Sequence, residues 1–165
     1  MDDRTRTMPR IVVGVDGSPS SLDALRWAVE QARVRGAVVE AVACWQYPVA
    51  TGWTVPIAAD EDLAGLARKV LDDSIAAATE ADRPVEVRPR VVEGGAAPGL
   101  LDAARGAELL VVGSRGHGGF TGALLGSVGQ HCVQHAPCPV VVVRHPRSPA
   151  AGAPAAPVPA PPHAA

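Results

Sequence analysis

The chain has 165 residues, within the size of one domain, so a second independent core is not expected. Its hydrophobic fraction is 47% but its aromatic fraction only 3%, which leaves Val, Leu, Ile and Ala to build the interior. Fifteen Lys and Arg against seventeen Asp and Glu give a formal charge of −2, without the cation excess that broad nucleic-acid or membrane-surface binding demands, and neither partner is expected.

The first ten residues, MDDRTRTMPR, are charged where a secretory signal would be apolar, and no apolar run reaches the roughly 18 to 20 residues that cross a bilayer. Residues 1–8 read as a flexible N-terminus, and a cytoplasmic location is expected. The body, residues 9–145, alternates short β-branched runs with longer stretches of helical period, the pattern of βαβ units around a parallel sheet. The first strand is expected at residues 11–15. A helix follows Asp16-Gly17-Ser18-Pro19, where Ser18 can cap and Pro19 suits the first helical position, with Leu22, Leu25, Ala28, Val29 and Ala32 as its apolar stripe.

Residues 38–44 give the second strand. The second helix has the clearest stripe, Leu63, Leu66, Ala67, Val70, Leu71, Ile75 and Ala78, and carries Lys69, the only lysine. Residues 85–90 alternate and contain Pro89, which cannot donate to a ladder, so this third strand belongs at a sheet edge. Leu100, Leu101 and Ala104 mark a third helix, residues 108–113 the fourth strand, and Leu124, Leu125, Val128 and Cys132 a fourth helix stopping before Pro137. The fifth strand is expected at residues 139–143.

These elements predict an α/β fold: an open five-stranded parallel sheet with helices on both faces, Rossmann-like, in strand order 3-2-1-4-5. From residue 146 to 165 there are seven Pro and eight Ala, which reads as a disordered or polyproline-like tail. Cys44, Cys132 and Cys138 are odd in number and lack a CxxC pair, which fits buried thiols in a reducing compartment better than disulfides or zinc, so no metal centre is expected.

In this strand order the chain reverses direction between the first and fourth strands, and ligands bind beyond the strand ends there. Residues 113–129 hold seven Gly, which permit close approach and left-handed dihedrals that converge N–H groups on an anion. Gly126-Ser127-Val128 would open the fourth helix with free N–H groups and the positive dipole end, and Arg115 is the segment's one cation. A phosphate chain fits this description. The segment is neither a P-loop, which needs Lys before Ser or Thr, nor the dinucleotide fingerprint, which opens the first βα turn. Across the crevice, Asp16 either accepts from a ribose or adenine, helps hold a divalent cation, or only shapes the turn. Cys44 and Trp45 either wall a base or belong to the core.

The spacing Gly113-x2-Gly116-x9-Gly126-Ser127, with VGVDGS at the first strand and PCPVVVVR at the last, resembles the ATP-binding universal stress proteins over about residues 9–145. The resemblance implies an adenine nucleotide alpha hydrolase-like fold and a single universal stress protein domain. It implies that Gly113, Gly116, Gly126 and Ser127 cradle a triphosphate, that Asp16 contacts the nucleotide and that the Cys44 backbone contacts adenine. It also implies ATP binding, weak or no hydrolysis, and a stress or signalling role; Mg²⁺ would accompany the ATP where Asp16 helps hold a cation.

A slow ATPase and a binder of cyclic AMP or AMP remain alternatives. No catalytic residue is assigned: His117 is the loop's only histidine, and HCVQH at 131–135 lacks the Glu of a zinc hydrolase. Val140, Val141, Val142 and Val143 form an edge that a second copy would cover, as the resemblance also implies.

Overall fold

The structure is a computed structural model that describes residues 8–47, 49–50, 53–54, 62–79, 84–116 and 125–145. The expected proline-rich tail, the first seven residues and His117 lie outside the described residues. In chain order the elements are β1 (Arg10–Gly14), α1 (Pro19–Arg35), β2 (Val38–Trp45), β3 (Val49–Ala50), β4 (Trp53–Thr54), α2 (Leu63–Ala78), β5 (Val87–Glu93), α3 (Ala96–Ala103), β6 (Leu109–Gly113), α4 (Ser127–His135) and β7 (Val140–Val143).

Five strands pair in parallel in the order β5-β2-β1-β6-β7, the expected 3-2-1-4-5 once the short β3-β4 hairpin is set aside. That antiparallel hairpin pairs Val49 with Thr54 and Ala50 with Trp53 and was not anticipated, because two-residue strands leave no periodicity to read. β5 begins two residues later than expected and runs on to Glu93, with Pro89 opposite Ala41 on the sheet edge.

Alternation along the central strands divides the core between two faces. Ile11, Val13, Val39, Ala41 and Val111 pack with Ala24, Leu25, Ala28, Val29 and Ala32 of α1 and with Leu71 of α2. Val12, Val42, Leu110 and Val112 face Leu100, Ala103 and Ala104 near α3 and Cys132 of α4. Both layers are almost wholly aliphatic, each buried Val or Leu being worth about 1.5–3 kcal/mol against exposure.

Local signals fix the ends of α1. The Ser18 hydroxyl accepts the Ser21 N–H at 3.2 Å, Pro19 takes the first helical position, and Gly36 closes the helix at φ +64°, a conformation that costs glycine little. The α2 stripe is shallower than its periodicity suggests: Leu71 is buried, whereas Leu66 is 53% and Val70 37% exposed. α4 begins at Ser127, after Leu125, and Leu124 of the expected stripe lies outside the described residues.

One polar cluster lies on the α3 side of the sheet. Glu40 of β2 accepts from Arg10 at 2.6 Å and from Arg90 at 3.0 Å, and Arg10 also donates to the carbonyls of Ala103 (2.9 Å) and Arg105 (2.6 Å). The cluster joins β1, β2 and β5 to the C-terminal end of α3, where a cation complements the helix dipole.

Candidate functional site

β1 and β6 lie side by side and end at Gly14 and Gly113, but α1 packs on one face of the sheet and α4 on the other. The divergence opens a cleft of about 240 Å³. Asp16, Cys44, Gly113, Arg115, Gly116, Gly126, Ser127 and Val128 all line it. Thus the segments after β1 and β6 face each other across one space, with β2 contributing from the side.

The Asp16 carboxylate shapes the turn and also faces the loop. Its Oδ1 accepts the Ser18 N–H at 3.0 Å, and a Cβ added to Gly116 would sit 2.6 Å from its Oδ2. Only glycine at 116 lets the loop backbone approach the carboxylate that closely. Gly113 serves another purpose, because a Cβ there would come within 2.8 Å of the Ser20 backbone, where α1 packs against β6. Left-handed backbone is not what these glycines supply: the described glycines with positive φ are Gly17, Gly36, Gly94 and Gly106.

The loop is stitched at both ends. Ser114 N–H donates to the Val143 carbonyl at 2.7 Å, Arg115 N–H to Ser20 Oγ at 3.4 Å, and Gly126 N–H to the Ser114 carbonyl at 2.9 Å. The Gly126 N–H is therefore used in holding the loop. The helical ladder of α4 starts with Gln130 N–H to the Gly126 carbonyl, so the N–H groups of Ser127, Val128 and Gly129 stand ahead of it. α1 and α2 have side-chain caps from Ser18 and Asp62, whereas α4 and α3 begin after Gly126 and Gly95 with none. Both uncapped ends border the cleft, α3 through Ala96. Partial positive charge from two helix ends thus meets one cavity.

Val15, Val42, Leu100 and Val112 give the rest of the cleft an apolar wall. Leu100 and Ala96 were missed from the sequence, and so were Gly14 and Gly129. Gly14 holds the signal in retrospect, since a Cβ on it would lie 2.9 Å from Leu100 Cδ1. Cys44 borders the cleft with its thiol turned toward α3, 3.9 Å from the Ala96 carbonyl, and a Cβ on Gly99 would come 2.7 Å from the sulfur. Burial raises the Cys44 thiol above its ordinary pKa against the opposing charge of Arg90, so it is not an activated nucleophile.

The residues therefore suit an anion with an apolar group attached. The model of the universal stress protein family matches residues 8–144. The chain belongs to the universal stress protein family. A universal stress protein of Mycolicibacterium smegmatis is 39% identical over 135 residues, covering 81% of this chain and 45% of the relative. The chain spans about half the length of the curated relatives it matches. Among solved structures, a universal stress protein family member from Burkholderia pseudomallei is 33% identical with a TM-score of 0.60, covering 81% of this chain and 94% of that one. A universal stress protein solved in complex with cAMP is 26% identical with the same TM-score of 0.60, covering 83% of this chain and 97% of that one.

Proposed function

We propose that this universal stress protein domain binds ATP in the cleft between β1 and β6 and works as a nucleotide-responsive signalling module. The observation that carries the proposal is the uncapped start of α4: Ser127, Val128 and Gly129, whose N–H groups precede the helical ladder, line the same cleft that Asp16 and Gly116 border. Helix N-termini of this kind stabilise phosphate through directed donors and dipole together. In this reading Gly116 and Gly126 let the phosphates approach the backbone, Gly113 seats the loop, and Arg115 supplies positive charge. Asp16 contacts the sugar or base, the Cys44 backbone borders adenine, and the apolar wall of Val42 and Leu100 packs on the base.

ATP would bring Mg²⁺ with it, held mainly by phosphate oxygens and water with Asp16 as the protein carboxylate at hand. Among the described residues no cluster of three or more His, Cys, Asp or Glu side chains could hold a metal ion. We assign binding rather than fast turnover: Asp16 is the carboxylate among the described cleft residues, and its Oδ1 already accepts the Ser18 N–H at 3.0 Å. In this proposal the domain is residues 9–145 and its site of action is the cytoplasm. None of the described helices is long and apolar enough to cross a membrane. A second copy pairs through β7.

The cAMP complex of the 26% identical relative favours a second reading, in which a cyclic nucleotide is the occupant. Displacement of a fluorescent adenine nucleotide by ATP, AMP and cyclic AMP separates the two. The triphosphate is expected to compete best and to lose its advantage over AMP when the phosphate donors are disturbed. Cyclic AMP displacing at the lowest concentration would replace ATP as ligand, and failure of all three would refute adenine-nucleotide binding. Steady phosphate release from ATP, abolished by Asp16→Ala with binding retained, would instead make the protein a slow ATPase.

A further inference from the structure

Helix α4 carries two imidazoles that the cleft does not use. His131 and His135 stand one helical turn apart, and both are exposed. Their ring centres are 4.5 Å apart with the planes tilted by 50°. A shared ion would fit that separation: metal–nitrogen bonds of about 2.0–2.1 Å put two imidazoles on one ion roughly 4.5–5 Å apart, centre to centre.

The surroundings favour a cation. The helix sequence, SVGQHCVQH, contains no Lys or Arg, and His135 is its final residue. The Ala136 N–H takes the Cys132 carbonyl, which leaves the carbonyls of residues 133–135 past the end of the helical ladder. His135 therefore sits at the negative end of the helix dipole.

We propose that His131 and His135 form a two-point chelate for a borderline first-row divalent cation of the Ni²⁺, Cu²⁺ and Zn²⁺ group, with water in the remaining positions. Imidazole nitrogen suits these ions, whereas Mg²⁺ and Ca²⁺ take oxygen. No third His, Cys, Asp or Glu joins the pair among the described residues, so the site is an open chelate rather than a closed structural zinc centre. An ion bridging one turn clamps a nine-residue helix, a length at which helices are marginal on their own. Because the spacing depends on the folded helix, the ion stabilises the native chain.

The test is calorimetric titration of the nucleotide-free full chain with ZnCl₂ and, separately, NiCl₂ and MgCl₂, in wild type, His131→Gln, His135→Gln and His145→Gln. One Zn²⁺ per chain is expected, with a loss of affinity in either α4 variant at least as large as the about tenfold that outer partners of a metal cost. His145→Gln should bind as wild type does, and MgCl₂ should give no heat that either α4 substitution alters. Circular dichroism checks that the variants fold, and Zn²⁺ should raise the thermal midpoint of wild type but of neither α4 variant. Equal Zn²⁺ affinity in all four proteins, loss confined to His145→Gln, or a wild-type midpoint unmoved by Zn²⁺ would overturn the proposal.

Discussion

Gly113 and Gly116 belong to one loop and one motif, yet a methyl group at each meets different neighbours. At Gly113 it would press on the Ser20 backbone, which cannot swing aside, and at Gly116 on the end of the Asp16 side chain, which can. Gly113→Ala is therefore expected to lower stability by about 1–3 kcal/mol in urea unfolding. Gly116→Ala is expected to leave the unfolding midpoint nearly unchanged and to weaken ATP binding about tenfold in calorimetry. An equal loss of stability in both variants would show that Gly116 is a packing residue as well.

Glu40 provides a second test at this scale. Burial alone would raise its carboxyl, but hydrogen bonds from Arg90 and Arg10, with their charges, outweigh that and hold it below the ordinary carboxylate pKa. Its native pKa being depressed, its contribution to stability is present above the unfolded value of about 4.3 and is lost as pH falls through the folded value. The stability difference between wild type and Glu40→Gln should accordingly be constant near neutral pH and shrink on acidification below about pH 4.3. A difference that grows in acid would contradict the assigned direction.

Among the elements, β7 has the clearest unfilled role. The carbonyls of Pro139 and Val143 accept from Leu110 and Ser114, which turns the backbone of alternate residues toward β6 and leaves that of Val140 and Val142 facing the open edge. Val142→Pro removes an outward N–H without touching the ladder to β6. Sedimentation is expected to show a dimer for wild type and a monomer for this variant, with unchanged circular dichroism. A wild-type monomer, or a variant that stays dimeric, would rule out pairing through this strand.

The same elements show what could be read in advance. Unbroken runs such as IVV and LLVV required strands covered on both faces, and Ser18-Pro19 marked where α1 begins, because those signals are local. The exposure of Leu66 and Val70 was not readable. Periodicity gives the direction of an apolar face but not how much of it a neighbouring layer covers.

For the molecule as a whole, strand order was legible because crossover handedness and an edge proline leave few arrangements, and strand order placed the cleft. Asp16, Gly116 and Ser127 followed from that placement. Leu100 and Ala96 did not, since α3 reaches the cleft across the sheet from a distant part of the sequence and bears no motif of its own. Nor did the role of Gly113, which depends on how closely α1 approaches β6.

An adenine nucleotide is expected where β1 and β6 diverge, with its phosphates on the start of α4. Backbone amide NMR of the full chain with added ATP tests this most directly, because each N–H reports its own surroundings. The largest shifts are expected at Ser127, Val128, Gly129 and Gly116, with α2 and β5 nearly silent. Shifts centred on α2 or β5, or a spectrum that ATP leaves unchanged, would contradict the account.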